Sequence, residues 1–195
     1  MSFFDTPTLA LARRHFLGRS GLVLSGPAVA LLAGNHTLAA AAGAADPKDV
    51  QILNTALGLE HEAIMAYQLG AESGLLKQPA LGVAVLFQGH HKEHAAALEA
   101  TIKKLGGTAV AAKSKDEVAK ALNAGALKTD VDVLKLAARL EKGAANAYLG
   151  VIPAFHDPAL AQVSGRLAAD ESMHFTALAG ALGEMLPAKA LSFGA

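Results

Sequence analysis

LGGTAVAAKSKDEVAKALNAGALKTD, residues 105–130, is the stretch whose reading decides the fold. It separates two regions of helical apolar periodicity and starts with Gly106-Gly107, a pair that ends a helix. Within it, Ser114-x-x-Glu117 is a capping box: the hydroxyl and the carboxylate each satisfy a backbone N–H of the other residue, so a short helix is predicted there. The 24 residues between Leu105 and Asp130 far exceed the usual helix-to-helix connection of about two to eight residues. A connection this long can run the height of a helical bundle and place the helices on either side of it parallel.

Reading outward, four long helices flank and surround this stretch. Asp46-Pro47 is an N-cap followed by proline at the first helical position, and the apolar pattern continues to Gly74. A second helix starts near Pro79 and ends at Leu105. Thr129 or Asp130 caps a third, which runs to about Ile152 before Pro153. Asp157-Pro158 repeats the cap-and-proline signature for a fourth, ending around Gly183. At about 25 residues each, the helices are roughly 38 Å long. Short joins within each pair make two antiparallel hairpins, so the fold class is an all-α four-helix bundle with one long crossover between helices 2 and 3.

Composition agrees. The 195 residues are 52% hydrophobic and 5% aromatic with 44 alanines, which favours helices packed closely through small side chains. Lys+Arg 17 balances Asp+Glu 17, and no basic run with interleaved aromatics is present, which argues against nucleic acid as a partner. With no cysteine, disulfides, thiolate metal sites and cysteine nucleophiles are excluded, so a metal site must use His, Asp and Glu.

Residues 1–45 read as an address. Arg13-Arg14-His15-Phe16-Leu17 resembles the twin-arginine consensus, Gly21 to Gly34 is a moderately apolar stretch, and the alanines at 39–42 and 44–45 offer cleavage points. An uncleaved N-terminal anchor is the alternative. The expected organisation is a signal peptide over 1–45 and a bundle domain over 46–195, in a periplasmic or otherwise exported location, with no stable membrane span once the leader is removed. That domain has 14 Lys+Arg and 16 Asp+Glu, a net charge of minus two.

Ionisable residues fall on faces that should be apolar. The stripe of helix 1 through Leu53, Leu57, Ile64 and Tyr67 includes Glu60, whereas Glu62 is turned about 200° away. The stripe Ala84, Phe87, Leu98 and Ile102 of helix 2 takes in His91 and His94, and leaves out His90 and Glu93. Glu141 shares a face with Leu134, Ala137 and Tyr148 in helix 3; Glu171 and His174 share one with Leu167 and Leu178 in helix 4. Such burial is costly unless the charges are paired or bind a metal, and no Lys or Arg lies on these stripes nearby.

The pattern repeats. Glu60 is followed by Tyr67 and His94 at separations of 7 and 34, and Glu141 by Tyr148 and His174 at 7 and 33. Two similar hairpins about a pseudo-twofold axis would bring both sets to one centre. Here the sequence resembles the ferritin-like di-metal carboxylate proteins, in particular bacterial ferritin-like domain proteins exported by the twin-arginine route. That resemblance implies one Glu from each of helices 1 and 3 and Glu-x-x-His from each of helices 2 and 4 as metal ligands. Glu60, Glu141 and Glu171-Ser172-Met173-His174 match, whereas helix 2 reads His91-Lys92-Glu93-His94, with histidine in place of a glutamate. The expected metal set is Glu60, His91, His94, Glu141, Glu171 and His174, with Tyr67 and Tyr148 bonding to ligand carboxylates or acting in electron transfer, or else serving as core tyrosines.

Three carboxylates cannot neutralise two divalent ions, so two metals would need an anionic bridge and a single metal is an open alternative. One or two iron ions are expected, with manganese, zinc or copper as alternatives. If His91 points away, the site is weaker still, with a metal-free descendant as the alternative. Two functions compete. One is an exported oxidoreductase whose centre reacts with oxygen or peroxide; the other is a non-catalytic metal-binding or stress-protective bundle. A homo-oligomer is compatible with either, and a cage-forming iron store is less attractive, since residues 46–195 hold a single bundle.

Overall fold

The computed structural model describes residues 46–185 and 187–194. The expected signal peptide at 1–45 lies outside the described residues. The chain forms α1 (Pro47–Glu72), α2 (Ala80–Lys104), the short α3 (Lys115–Ala121), α4 (Asp130–Val151) and α5 (Pro158–Ala181), with no strand among the described residues. Every long helix lies within a few residues of its expected span.

The starts follow from local chemistry. Asp46 accepts a hydrogen bond from Lys48 N at 2.7 Å ahead of Pro47, and Asp157 accepts one from Ala159 N at 2.8 Å ahead of Pro158. Ser114 with Glu117 and Thr129 with Asp132 form complete capping boxes. At the end of α2, Gly106 takes φ +77° and Gly107 N donates to Ile102 O at 2.9 Å. A Cβ at Gly107 would lie 2.5 Å from Val50 Cγ1, so α1 and the end of α2 approach too closely for any larger residue.

α1 packs along α2, and α4 along α5, more extensively than either pair packs against the other. Antiparallel contact also joins α1 to α4, since Tyr67 meets Glu141 and Tyr148 meets Glu60. The crossover runs back along α1. Asn54 bonds to Thr108 O and Val110 N, Lys113 reaches Glu62 at 3.4 Å, and Lys115 reaches Glu72 at 2.8 Å. Val118 anchors α3, being 1% exposed. The buried Asp49 carboxylate accepts from His156 N and Asp157 N at 2.9 and 3.1 Å, which ties the start of α1 to the start of α5.

The core is in two parts. Leu53, Leu57, Leu98, Ile102, Leu160 and Leu167 cluster at one end of the bundle. Tyr67, Phe87, Val133 and Leu178 cluster at the other. Between these two apolar clusters lies a layer of buried charge.

Candidate metal centre

All six residues expected on the stripes point into that layer and are at most 8% exposed. They form two overlapping groups whose donor atoms lie within 4.8 Å of one another: Glu60, His91, His94 and Glu171, and His91, Glu141, Glu171 and His174. His91 and Glu171 belong to both. His91 does not point away: its Nδ1 lies 2.8 Å from Glu60 Oε2, and its Nε2 lies 3.1 Å from Glu141 Oε1. One ring nitrogen therefore faces each group.

His94 and His174 have matching orientations. His94 Nδ1 is 3.2 Å from Glu171 Oε1, and His174 Nδ1 is 3.1 Å from Glu171 Oε2. Their Nε2 atoms face the other way, His94 to Asp170 Oδ2 at 3.2 Å and His174 to His90 Nδ1 at 2.9 Å. Asp170 and His90 were not among the expected residues, and His90 was placed off the stripe. His90 is off the buried stripe, as the sequence indicates, and reaches the site from its edge. Phe87 stacks on His174 at 4.1 Å between ring centres, so α2 and α5 come close enough for a residue at the edge of the stripe to reach across. A signal was present in the repeat: His90 and Asp170 are 80 residues apart, as are His91 and Glu171, and His94 and His174.

The tyrosines are crossed. Tyr67 donates to Glu141 and Tyr148 donates to Glu60, so each hairpin holds the other's carboxylate. Burial and the facing carboxylates raise both phenols above their ordinary value, which keeps them protonated as donors.

A ferritin-like domain profile matches residues 48–184, a span that takes in the four long helices apart from Pro47. The chain belongs to the ferritin-like domain family. Among solved structures, this ferritin-like chain is similar to a conserved hypothetical protein from Mycobacterium tuberculosis, at 19% identity and a TM-score of 0.60, covering 74% of this chain and 96% of that one. That likeness is one of fold. No curated protein matches the chain significantly.

The donor set of this ferritin-like domain suits a metal. His94 Nδ1, Glu141 Oε2 and Glu171 Oε1 are buried without a hydrogen-bond partner among the described residues, although oppositely charged atoms lie close by. Distance alone does not satisfy them, because the directions are wrong for a hydrogen bond. A cation held by the first group would meet His94 Nδ1 and Glu171 Oε1, and one held by the second would meet Glu141 Oε2. Without one, the histidines carry the balancing charge. Burial disfavours their charged forms, yet bonds to Glu141 and Glu60 hold His91 at about 10, and the negative charge of Glu171 and Glu60 close beside it holds His94 at about 10. Burial would likewise raise Glu60, but His91 and His94 outweigh it and hold the carboxyl at about 2. Glu171 goes the other way: burial raises it above the ordinary carboxylate range.

Proposed function

We propose that this protein is an exported metal-binding oxidoreductase, with one or two iron ions held by Glu60, His91, His94, Glu141, Glu171 and His174. The observation that carries the reading is the pair of overlapping donor groups sharing His91 and Glu171. Bound iron would supply a redox change and an open coordination position for oxygen or peroxide. The protein's own part is positional. Tyr67 and Tyr148 fix the rotation of Glu141 and Glu60, and Asp170 and His90 fix the rings of His94 and His174 with Nδ1 inward. Leucines pack above and below the charged layer.

Metal-to-protein stoichiometry, measured with optical spectra under oxygen and under peroxide, tests the reading. The wild type should load iron and change its spectrum with either oxidant. His91→Ala should lower occupancy. His91→Glu supplies the missing negative charge and should raise the stoichiometry toward two. Equal stoichiometry and unchanged spectra in all three forms would sink the reading, and loading without any response to oxidant would leave a structural metal site. Export is proposed on Arg13-Arg14 and Phe16-Leu17. Changing both arginines to lysine should hold the precursor in the cytoplasm.

A further inference from the structure

The seam between α1 and α4 encloses a cavity of about 270 Å³ that reaches from the surface to the charged layer. Its deep end is formed by Tyr67, His91 and Glu141. Its sides are the small residues Ala63, Ala144 and Ala147, and its lining is mostly carbon. Glu62 and Arg139 stand at the rim beside Leu59, which is 40% exposed.

Three observations define what such a space would hold. The first is size. At about 30 Å³ per water-sized group, it has room for about nine such groups, more than oxygen or peroxide requires. The second is the deep end, where Glu141 lies against His91, with Glu60 and Glu171 just beyond. An anionic group pushed in there would find both His91 nitrogens already taken by Glu60 and Glu141, whereas a hydrocarbon end meets the Tyr67 and His91 rings. The third is the rim. Glu62 is already joined to Lys113, and Arg139 has no ion pair among the described residues. The uncommitted rim charge is therefore positive.

We propose that this cavity binds an amphipathic organic anion, a carboxylate with a chain or ring of about eight carbons, its apolar end against His91 and Glu141 and its carboxylate at Arg139. In this orientation the carbons farthest from the anionic group lie beside the donor group of His91, Glu141, Glu171 and His174. The role of this molecule as a substrate rests on the function proposed above; its binding does not.

The test uses the full chain stripped of metal, titrated with sodium octanoate, 1-octanol and octylammonium chloride by calorimetry and ligand-observed NMR. Octanoate should bind at one site. Arg139→Gln should weaken octanoate about fivefold and leave octanol unchanged, the size expected of one exposed ion pair. Ala144→Leu should remove binding of both, and an unchanged melting temperature would show that it fills the cavity without harming the fold. Lys135→Gln, one turn earlier on α4 and outside the cavity lining, should change nothing. Tighter binding of octylammonium than octanoate, unaltered octanoate binding in Ala144→Leu, or equal losses in Lys135→Gln and Arg139→Gln would each overturn the proposal. Because no metal is present, a failure of iron loading leaves this result standing, and a failure of octanoate to bind leaves the metal titration standing.

Discussion

The two seams where the hairpins meet are built on opposite plans. Between α2 and α5 the space is filled with rings: Phe87 and His90 each stack on His174, at 4.1 and 5.2 Å between ring centres, and His94 lies nearby. Between α1 and α4, Ala63, Ala144 and Ala147 leave a cavity. The spacing at mid-height is set by the two crossed Tyr–Glu bonds, and alanines beside them are too short to close it. One seam thus holds the histidine rings, and the other gives access to the donor atoms.

The largest effect should come from emptying the filled seam. Phe87→Ala removes the ring that supports His174 and should cost about 3–5 kcal/mol of stability, measured by denaturant unfolding. A loss below about 1 kcal/mol would show that the ring stack is not what closes this seam.

Next in size are the residues behind the ligands. Asp170→Asn leaves His94 Nε2 facing an amide and should lower metal affinity about 10–100-fold. His90→Gln should cost less, because a neutral acceptor is exchanged for another. Metal titrations of both variants separate the two sides of the site. Equal losses would mean that the carboxylate confers no advantage on the His94 side.

The charged layer between the seams should also respond to pH in the metal-free protein. His91 and His94 are raised from 6.5 to about 10, so their contribution to stability is fully present below pH 6.5 and is lost as pH rises toward 10. Glu60 is lowered from 4.5 to about 2, so its contribution is present above pH 4.5 and is lost as pH falls toward 2. The melting temperature should be highest between these windows and should fall from pH 6.5 to 10. A rise over that range would contradict the internal charge balance.

The smallest effect belongs to the open seam. A Cβ at Gly143 meets nothing within 4 Å, so Gly143→Ala should stabilise α4 by about 0.5–1 kcal/mol. Destabilisation there would mean that the α1–α4 seam is closed by something the described residues do not supply.

Much of this was legible in the sequence because it rests on local chemistry. The caps at Asp46, Ser114, Thr129 and Asp157 place the helices, and the length from Leu105 to Asp130 dictates the crossover. A polar residue on an apolar stripe was enough to pick out Glu60, His91, His94, Glu141, Glu171 and His174 as a converging set. What stayed hidden depends on how far one helix stands from another. His90 and Asp170 sit at the edges of their stripes and count only because α2 and α5 are close. Asp49 reads as an ordinary first-turn acid until the loop before α5 is seen to rest on it. The alanines were expected to bring helices together, and on the α1–α4 side they leave room instead.

Because Tyr67 serves Glu141 and Tyr148 serves Glu60, neither hairpin is a finished unit. Severed from the other, each would keep a tyrosine without its carboxylate and a buried carboxylate without its tyrosine. Two copies of one hairpin could restore both bonds by meeting about a twofold axis. A doubled first hairpin would set His91 against His91 on that axis, and a doubled second hairpin would set Glu171 against Glu171. The natural chain sets one of each, so its inexact repeat gives the centre a mixed axis that two identical hairpins could not have.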